Sequence, residues 1–187
     1  MKVKEKMMTL SDLIREPGKA ELIGGRIVRY MATGYWPHKI AFRIVLSLNE
    51  YALRTKHGQA FADNLGFALP MLSSGRESFN PDASFYTGPL PKNKMWFIEG
   101  APTLAVEVRS ESEKGPAALR EMAEKRADYF EAGTRVVWDV DPVAECVHAY
   151  RAASPEIPVT YNRGHEAEAE PAVPGWKISV DTISQAE

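Results

Sequence analysis

The stretch PTLAVEVRS at 102–110 constrains the fold of this chain more than any other. Leu104, Val106 and Val108 alternate with Thr103, Ala105, Glu107 and Arg109, and a period of two sends each set to its own face of a strand. One face is wholly apolar. The other stays small until it ends in an acid and a base. A helical pattern follows over about 115–132, closed by Gly133, and then a second apolar run, TRVVWDVDP, at 134–142. Strand, helix and strand in that order make a crossover unit, which joins parallel strands with a right-handed turn. The chain is therefore read as α/β, with a parallel pair inside a mixed sheet. The helix can pack on either face of the first strand.

A carboxylate among small residues on a core strand is costly unless something pairs with it, which makes Glu107 the first candidate functional residue. NPDASFY at 80–86 offers a second acid, since Asp82, Ser84 and Tyr86 share one face of another short strand. An aspartate directly after Pro81 also reads as an ordinary turn residue. Two carboxylates held close raise one pKa unless a cation lies between them, so a converging pair favours a divalent metal. Magnesium prefers oxygen ligands, keeps several waters and takes only one or two protein carboxylates.

On the helix, Glu121, Glu124, Asp128 and Glu131 recur at i, i+3, i+7 and i+10 and read as a solvated acidic stripe. Leu119, Met122, Ala123, Tyr129 and Phe130 form the apolar face. Two bases fall among them, Lys125 on the Ala118/Met122/Tyr129 edge and Arg126 nearer the centre. Helical geometry alone does not choose between them.

The remaining elements follow local signals. Ser11 to Glu16 reads as a short helix with Thr9 or Ser11 as cap, and AELIGGRIVRYM at 20–31 as a hairpin containing Glu21. WPHKIAFRIVLSLNEYALRTKHG is a long helix whose Ile40, Ile44, Leu48 and Ala52 make one buried stripe. His38 lies in its opening turn and Gly58 at its C-terminal cap. Residues 59–63 and 65–71 read as strands, ECVHAYR as the hairpin partner of 134–142, IPVTYN as a further strand, and HEAEAE as an edge strand or loop.

A chain of 187 residues with 44% hydrophobic content is expected to form one domain over 1–187. The net charge of -2 creates no overall attraction for nucleic acid, so a DNA contact must come from a local basic patch. Lys92 and Lys94 in the 87–94 loop either line such a groove or are simply solvated. Cys146 is the only cysteine, which rules out an internal disulfide and zinc-finger spacing. No signal peptide or membrane span is legible, and the expected location is the cytoplasm.

An Asp after a Pro on one strand, then a Glu two residues before a base on the next, resembles the acid pair of the PD-(D/E)XK nuclease superfamily. Glu107-Val108-Arg109-Ser110 is followed by Lys125, Tyr129 and Gly133 at a four-residue repeat, then by Trp138-Asp139-Val140-Asp141-Pro142. With Glu21-Leu22-Ile23, His38 and Pro174-Gly175, this ordered set resembles the Uma family of putative restriction endonucleases, from about Thr9 to about Val180. The resemblance implies a restriction-endonuclease-like mixed β-sheet sandwiched by helices, with an N-terminal hairpin. It implies a metal-dependent endonuclease acting on DNA, with Asp82, Glu107 and Lys125 catalytic. Asp82 and Glu107, with the Val108 carbonyl, would hold Mg²⁺ or Mn²⁺. Arg109, Glu21 and His38 are supporting candidates. Glu21 is either near the metal or a solvent-facing edge acid, and His38 either in the site or an exposed helix-end residue. A homodimer is compatible with the family.

Two departures stand out. The superfamily's general pattern has Lys two residues after the Glu, where this chain has Arg109; a guanidinium stays protonated and cannot act as a base. In the Uma family that lysine has moved to the following helix, where Lys125 stands. Gly24-Gly25 also replaces the acid-glycine pair that the family favours in the hairpin. The alternative function is a non-catalytic binding or regulatory protein on the same fold, using Tyr35, Trp36 and the 87–96 loop as a contact surface. Hydrolysis of another phosphate ester is a third reading.

Overall fold

The computed structural model describes residues 7–111 and 115–185. Thr9 caps α1 (Leu10–Leu13) through a capping box with Asp12, so the first helix starts and ends earlier than its sequence pattern indicated. Strands β1 (Ala20–Ile23) and β2 (Arg26–Arg29) form the N-terminal hairpin. Helix α2 (Tyr35–Thr55) follows. Its chain reverses at Lys56, whose φ of 58° is left-handed, rather than at the expected Gly58. Gly58 has another duty: a Cβ there would lie 2.5 Å from the Phe85 ring. The glycine allows the chain to pass close to the sheet.

The next strands are β3 (Gln59–Ala62), β4 (Phe67–Ala68), β5 (Ser78–Phe79), β6 (Ala83–Tyr86), β7 (Ile98–Glu99) and β8 (Leu104–Val108). After α3 (Pro116–Glu131) come β9 (Val136–Asp141), β10 (Cys146–Arg151), β11 (Ser154–Asn162), β12 (Glu166–Glu168), β13 (Lys177–Ser179) and α4 (Val180–Ile183). The main sheet has six strands in the order β11-β10-β9-β8-β6-β3. Its β8–β9 pair is parallel and its other neighbours are antiparallel, so the crossover unit has the expected parallel strands. The segments 59–63 and 65–71 part company: β3 joins the main sheet, while β4 pairs with β5 and β7 in a separate three-stranded sheet.

The two faces of β8 carry different cores. Leu104, Val106 and Val108 pack with Val136, Trp138 and Val140 against Ile40, Ile44 and Leu48 of α2. Trp176, beyond β12, lies against Trp138 with ring centroids 5.1 Å apart. On the opposite face, Ala105 and Val137 meet Tyr129 of α3 and the small sheet's Phe67 and Phe79. Phe79 stacks on Tyr129 at 3.9 Å. Helices α2 and α3 thus cover opposite faces of a mixed sheet, and α3 takes the face that bears Glu107.

Helix α3 ends in a Schellman turn, with Thr134 N–H bonded to the Tyr129 carbonyl and Gly133 N–H to that of Phe130. Gly133 adopts φ 100°, as a residue without Cβ can. The buried residues of α3 are Asp128 and Tyr129. This corrects the reading of the acidic stripe, because Asp128 belongs to the inner face. No described helix is long and apolar enough to cross a membrane.

Candidate active site

The centre forms where β6 begins beside β8. Register pairs Ala83 with Val106, so the next residues outward, Asp82 and Glu107, stand opposite each other. Cross-strand partners share a face. Pro81 precedes the strand, and the Asp82 side chain takes over a bond that backbone would make: its Oδ2 accepts the Val108 N–H at 2.7 Å. The Asp82 N–H itself donates to the Val106 carbonyl at 3.1 Å. Asp82 is thereby fixed at both ends.

Lys125 reaches this pair from α3. Its Nζ lies 2.8 Å from Glu107 Oε1 and 3.1 Å from Glu21 Oε1, bridging the hairpin acid and the strand acid. Its ammonium also faces the rings of Tyr30 and Tyr129, at 5.5 and 5.9 Å from their centroids. Lys125, Asp128 and Tyr129 are three and four residues apart and so lie on one helix face. Tyr129 Oη donates to Glu107 Oε1 at 2.6 Å. Arg126, the next residue on this helix, stacks on Tyr150 instead, 3.7 Å from its centroid.

Glu21 is fully buried, which disposes of the solvent-facing alternative. Its oxygens accept from Asn80 N–H at 3.0 Å, Tyr30 Oη at 2.8 Å and Arg76 Nη1. Arg76 Nε donates to Asp128 at 2.8 Å, tying hairpin to helix. Lys19 is the third cation: its Nζ is 2.5 Å from Asp82 Oδ1 and 2.9 Å from Asp63 Oδ1.

These contacts decide the charge states. Burial pushes the Glu107 carboxyl up from its ordinary value, as does Asp82, against the opposing pull of Lys125 and Lys19. Burial acts on Glu21 in the same sense, but Lys125 and Arg76 outweigh it and hold its pKa below the ordinary value. Burial works against the Lys125 charge, yet Glu107 and Glu21 carry its pKa well above that of a free lysine. Lys125 is therefore an ammonium and not a base. Tyr30 is pushed up to about 12, chiefly by burial and Glu21, and Tyr129 well above the ordinary phenol by burial and Glu107. Both hydroxyls keep their protons and donate.

The other sequence candidates lie apart from the pair. Arg109 forks onto Asp139 with Nε at 2.7 Å and Nη2 at 2.9 Å, and reaches Asp141 with Nη1 at 2.7 Å. It thus holds the β9 acids rather than Glu107. His38 is exposed in the opening turn of α2. A cleft of about 810 Å³ opens over the site, lined among others by Lys19, Tyr30, Arg76, Asp82, Glu107, Arg109, Lys125 and Asp139.

Lys19, Asp63, Arg76, Asn80 and Tyr30 are not candidates from sequence, and Asp139 enters there only as part of the run at 138–142. Lys19 precedes a strand and Arg76 sits in the Ser73-Ser74-Gly75 loop, positions with no periodicity to mark their direction. No local signal marks them, because the burial of Glu21 that demands a cation is visible only in the fold.

The donor chemistry suits a hard divalent ion. Asp82, just before β6, and Glu107 on β8 offer two carboxylates side by side, the number magnesium takes. Among the described residues no three His, Cys, Asp or Glu side chains gather into a fuller metal cage, so waters or substrate oxygens would complete the shell.

Residues 6–181 match the family described as "Uma2: Putative restriction endonuclease". No curated protein matches the chain. Among solved structures, that of "a putative nuclease belonging to DUF820" from Anabaena variabilis is similar, with a TM-score of 0.73 and 18% sequence identity, covering 95% of this chain and 97% of that one. At that identity the likeness establishes a shared fold.

Proposed function

The chain belongs to the Uma2 family of putative restriction endonucleases, and we propose that it is a metal-dependent endonuclease of the PD-(D/E)XK kind that hydrolyses phosphodiester bonds of DNA. The observation that carries this reading is the position of Lys125. It comes from a different element than Glu107, yet its ammonium stands 2.8 Å from that carboxylate, on the strand beside Asp82. The chain is taken as one domain built around that centre.

Asp82 and Glu107, with the Val108 carbonyl, are the groups that would hold Mg²⁺ or Mn²⁺. Such a metal, when bound, lowers the pKa of a water and polarises a phosphoryl oxygen. Lys125 orients the attacking water and stabilises the extra negative charge of the transition state. Glu21 and the Tyr129 hydroxyl position the two partners of that step, Lys125 and Glu107. Arg109 braces Asp139 and Asp141 at the edge of the cleft, its fork taken up by those acids, which leaves it a supporting rather than a phosphate-clamping role. His38 has no part in this reading.

One observation favours the non-catalytic alternative. Asp82, Glu107 and Glu21 each already have a cation of the chain itself, Lys19, Lys125 and Arg76, so each of these acids has a charge partner without a metal. Incubation with supercoiled plasmid and with single-stranded DNA separates the two readings. The nuclease cuts with Mg²⁺ or Mn²⁺ and stops with EDTA; no cleavage under any of these conditions favours the binding protein.

A further inference from the structure

We propose that Lys19 is a tethered cation that competes with the metal for Asp82, and that Asp63 is the seat to which its ammonium withdraws. The inference rests on the reading of Asp82 and Glu107 as the metal pair. Asp82 Oδ2 is committed to the Val108 N–H at 2.7 Å. That leaves Oδ1 for a cation, and Lys19 Nζ stands on it at 2.5 Å. A metal ion and an ammonium on one oxygen repel in a partly dry cleft, so the two compete for it.

The backbone of Lys19 stays where it is. Its carbonyl accepts the Tyr30 N–H at 2.9 Å at the base of the hairpin, so only the side chain moves. The alternative seat is built and close. Asp63 Oδ1 lies 2.9 Å from the same Nζ and is oriented by accepting the Asn64 N–H at 2.8 Å. Asn64 is in turn fixed by a left-handed φ of 70° and by Asn80, whose Oδ1 accepts from the same N–H at 3.1 Å. Lys125 and Arg76 also bridge two acids each, but their partners are Glu107, Glu21 and Asp128 rather than Asp82. Lys19 keeps Asp82 neutralised until metal arrives, and the strength of its hold sets the metal concentration at which the centre fills.

Calorimetric titration of the full chain with Mn²⁺ tests this without reference to cleavage. Lys19→Met should bind Mn²⁺ about tenfold more tightly than wild type, the scale of one charged hydrogen bond removed from competition. Asp63→Asn should bind more weakly, because the ammonium is left with Asp82 alone. In the double variant the weakening should vanish, since Asp63 acts only through Lys19. Lys19→Gln serves if the Met variant fails to fold, as judged by circular dichroism. Equal or weaker binding in a folded Lys19 variant overturns the competition, and a weakening that persists in the double variant makes Asp63 a direct ligand and overturns the seat. Absence of Mn²⁺ binding from wild type and Lys19 variants alike removes the metal pair itself, and this inference with it.

Discussion

Glu21 and Glu107 share Lys125, yet the fold treats their charges in opposite ways. The pKa of Glu21 is held below its ordinary 4.5 by Lys125 and Arg76 against burial, and that of Glu107 is raised above it by burial. Glu21 therefore contributes stability that is present above about pH 4.5 and is lost as pH falls through its folded pKa. Glu107 works with the reverse sign: its contribution is complete below about pH 4.5 and is lost as pH rises through its folded pKa. In urea denaturation at pH 7, Glu21→Gln should cost about 3 kcal/mol or more, because it breaks a buried charge network. Glu107→Gln should change stability by about 1 kcal/mol or less, and should flatten the decline of stability above pH 4.5. Equal costs for the two substitutions would mean that both acids are structural. At this scale the sequence pointed to Glu107 through its place among small residues, whereas Glu21 offered two readings until its full burial was seen.

At the scale of elements, the site depends on α3 being held against the hairpin and the sheet. The helix buries little apolar surface of its own, with Asp128 and Tyr129 as its buried residues. Polar ties do the holding: Arg76 joins Glu21 to Asp128, Lys125 joins Glu21 to Glu107, and Tyr129 bonds Glu107. Arg76→Met should destabilise the protein by about 3–5 kcal/mol, since it leaves two buried carboxylates short of a partner. Amide exchange should show α3 losing protection before α2, whose Ile40, Ile44 and Leu48 lie in the large core; uniform loss would contradict this division. Strand β8 and α2 were legible because an apolar period ran over five residues or more, and α3 because Gly133 marked its end, although its Leu119 lies exposed rather than on a buried face. The two-residue strands β4, β5 and β7 are too short to carry a period. Lys19 and Arg76 find partners 44 to 63 positions away, which local patterning does not encode.

Over the whole molecule, the sheet brings Asp82 and Glu107 together while α2 and α3 close its two faces. The net charge of -2 supplies no general affinity for DNA, so under the proposed function the cations lining the cleft would have to supply it locally. The central claim is that Lys125, arriving from α3, performs the work that the superfamily's general pattern gives to the position of Arg109. The most direct measurement compares plasmid cleavage by wild type and Lys125→Met under saturating Mn²⁺, with fold checked by circular dichroism and metal affinity by calorimetry. The expected result is a rate lower by about 10²–10³, the effect of one positioned charge in the transition state, with Mn²⁺ still bound. A folded, metal-binding Lys125→Met that cuts as fast as wild type would contradict the account.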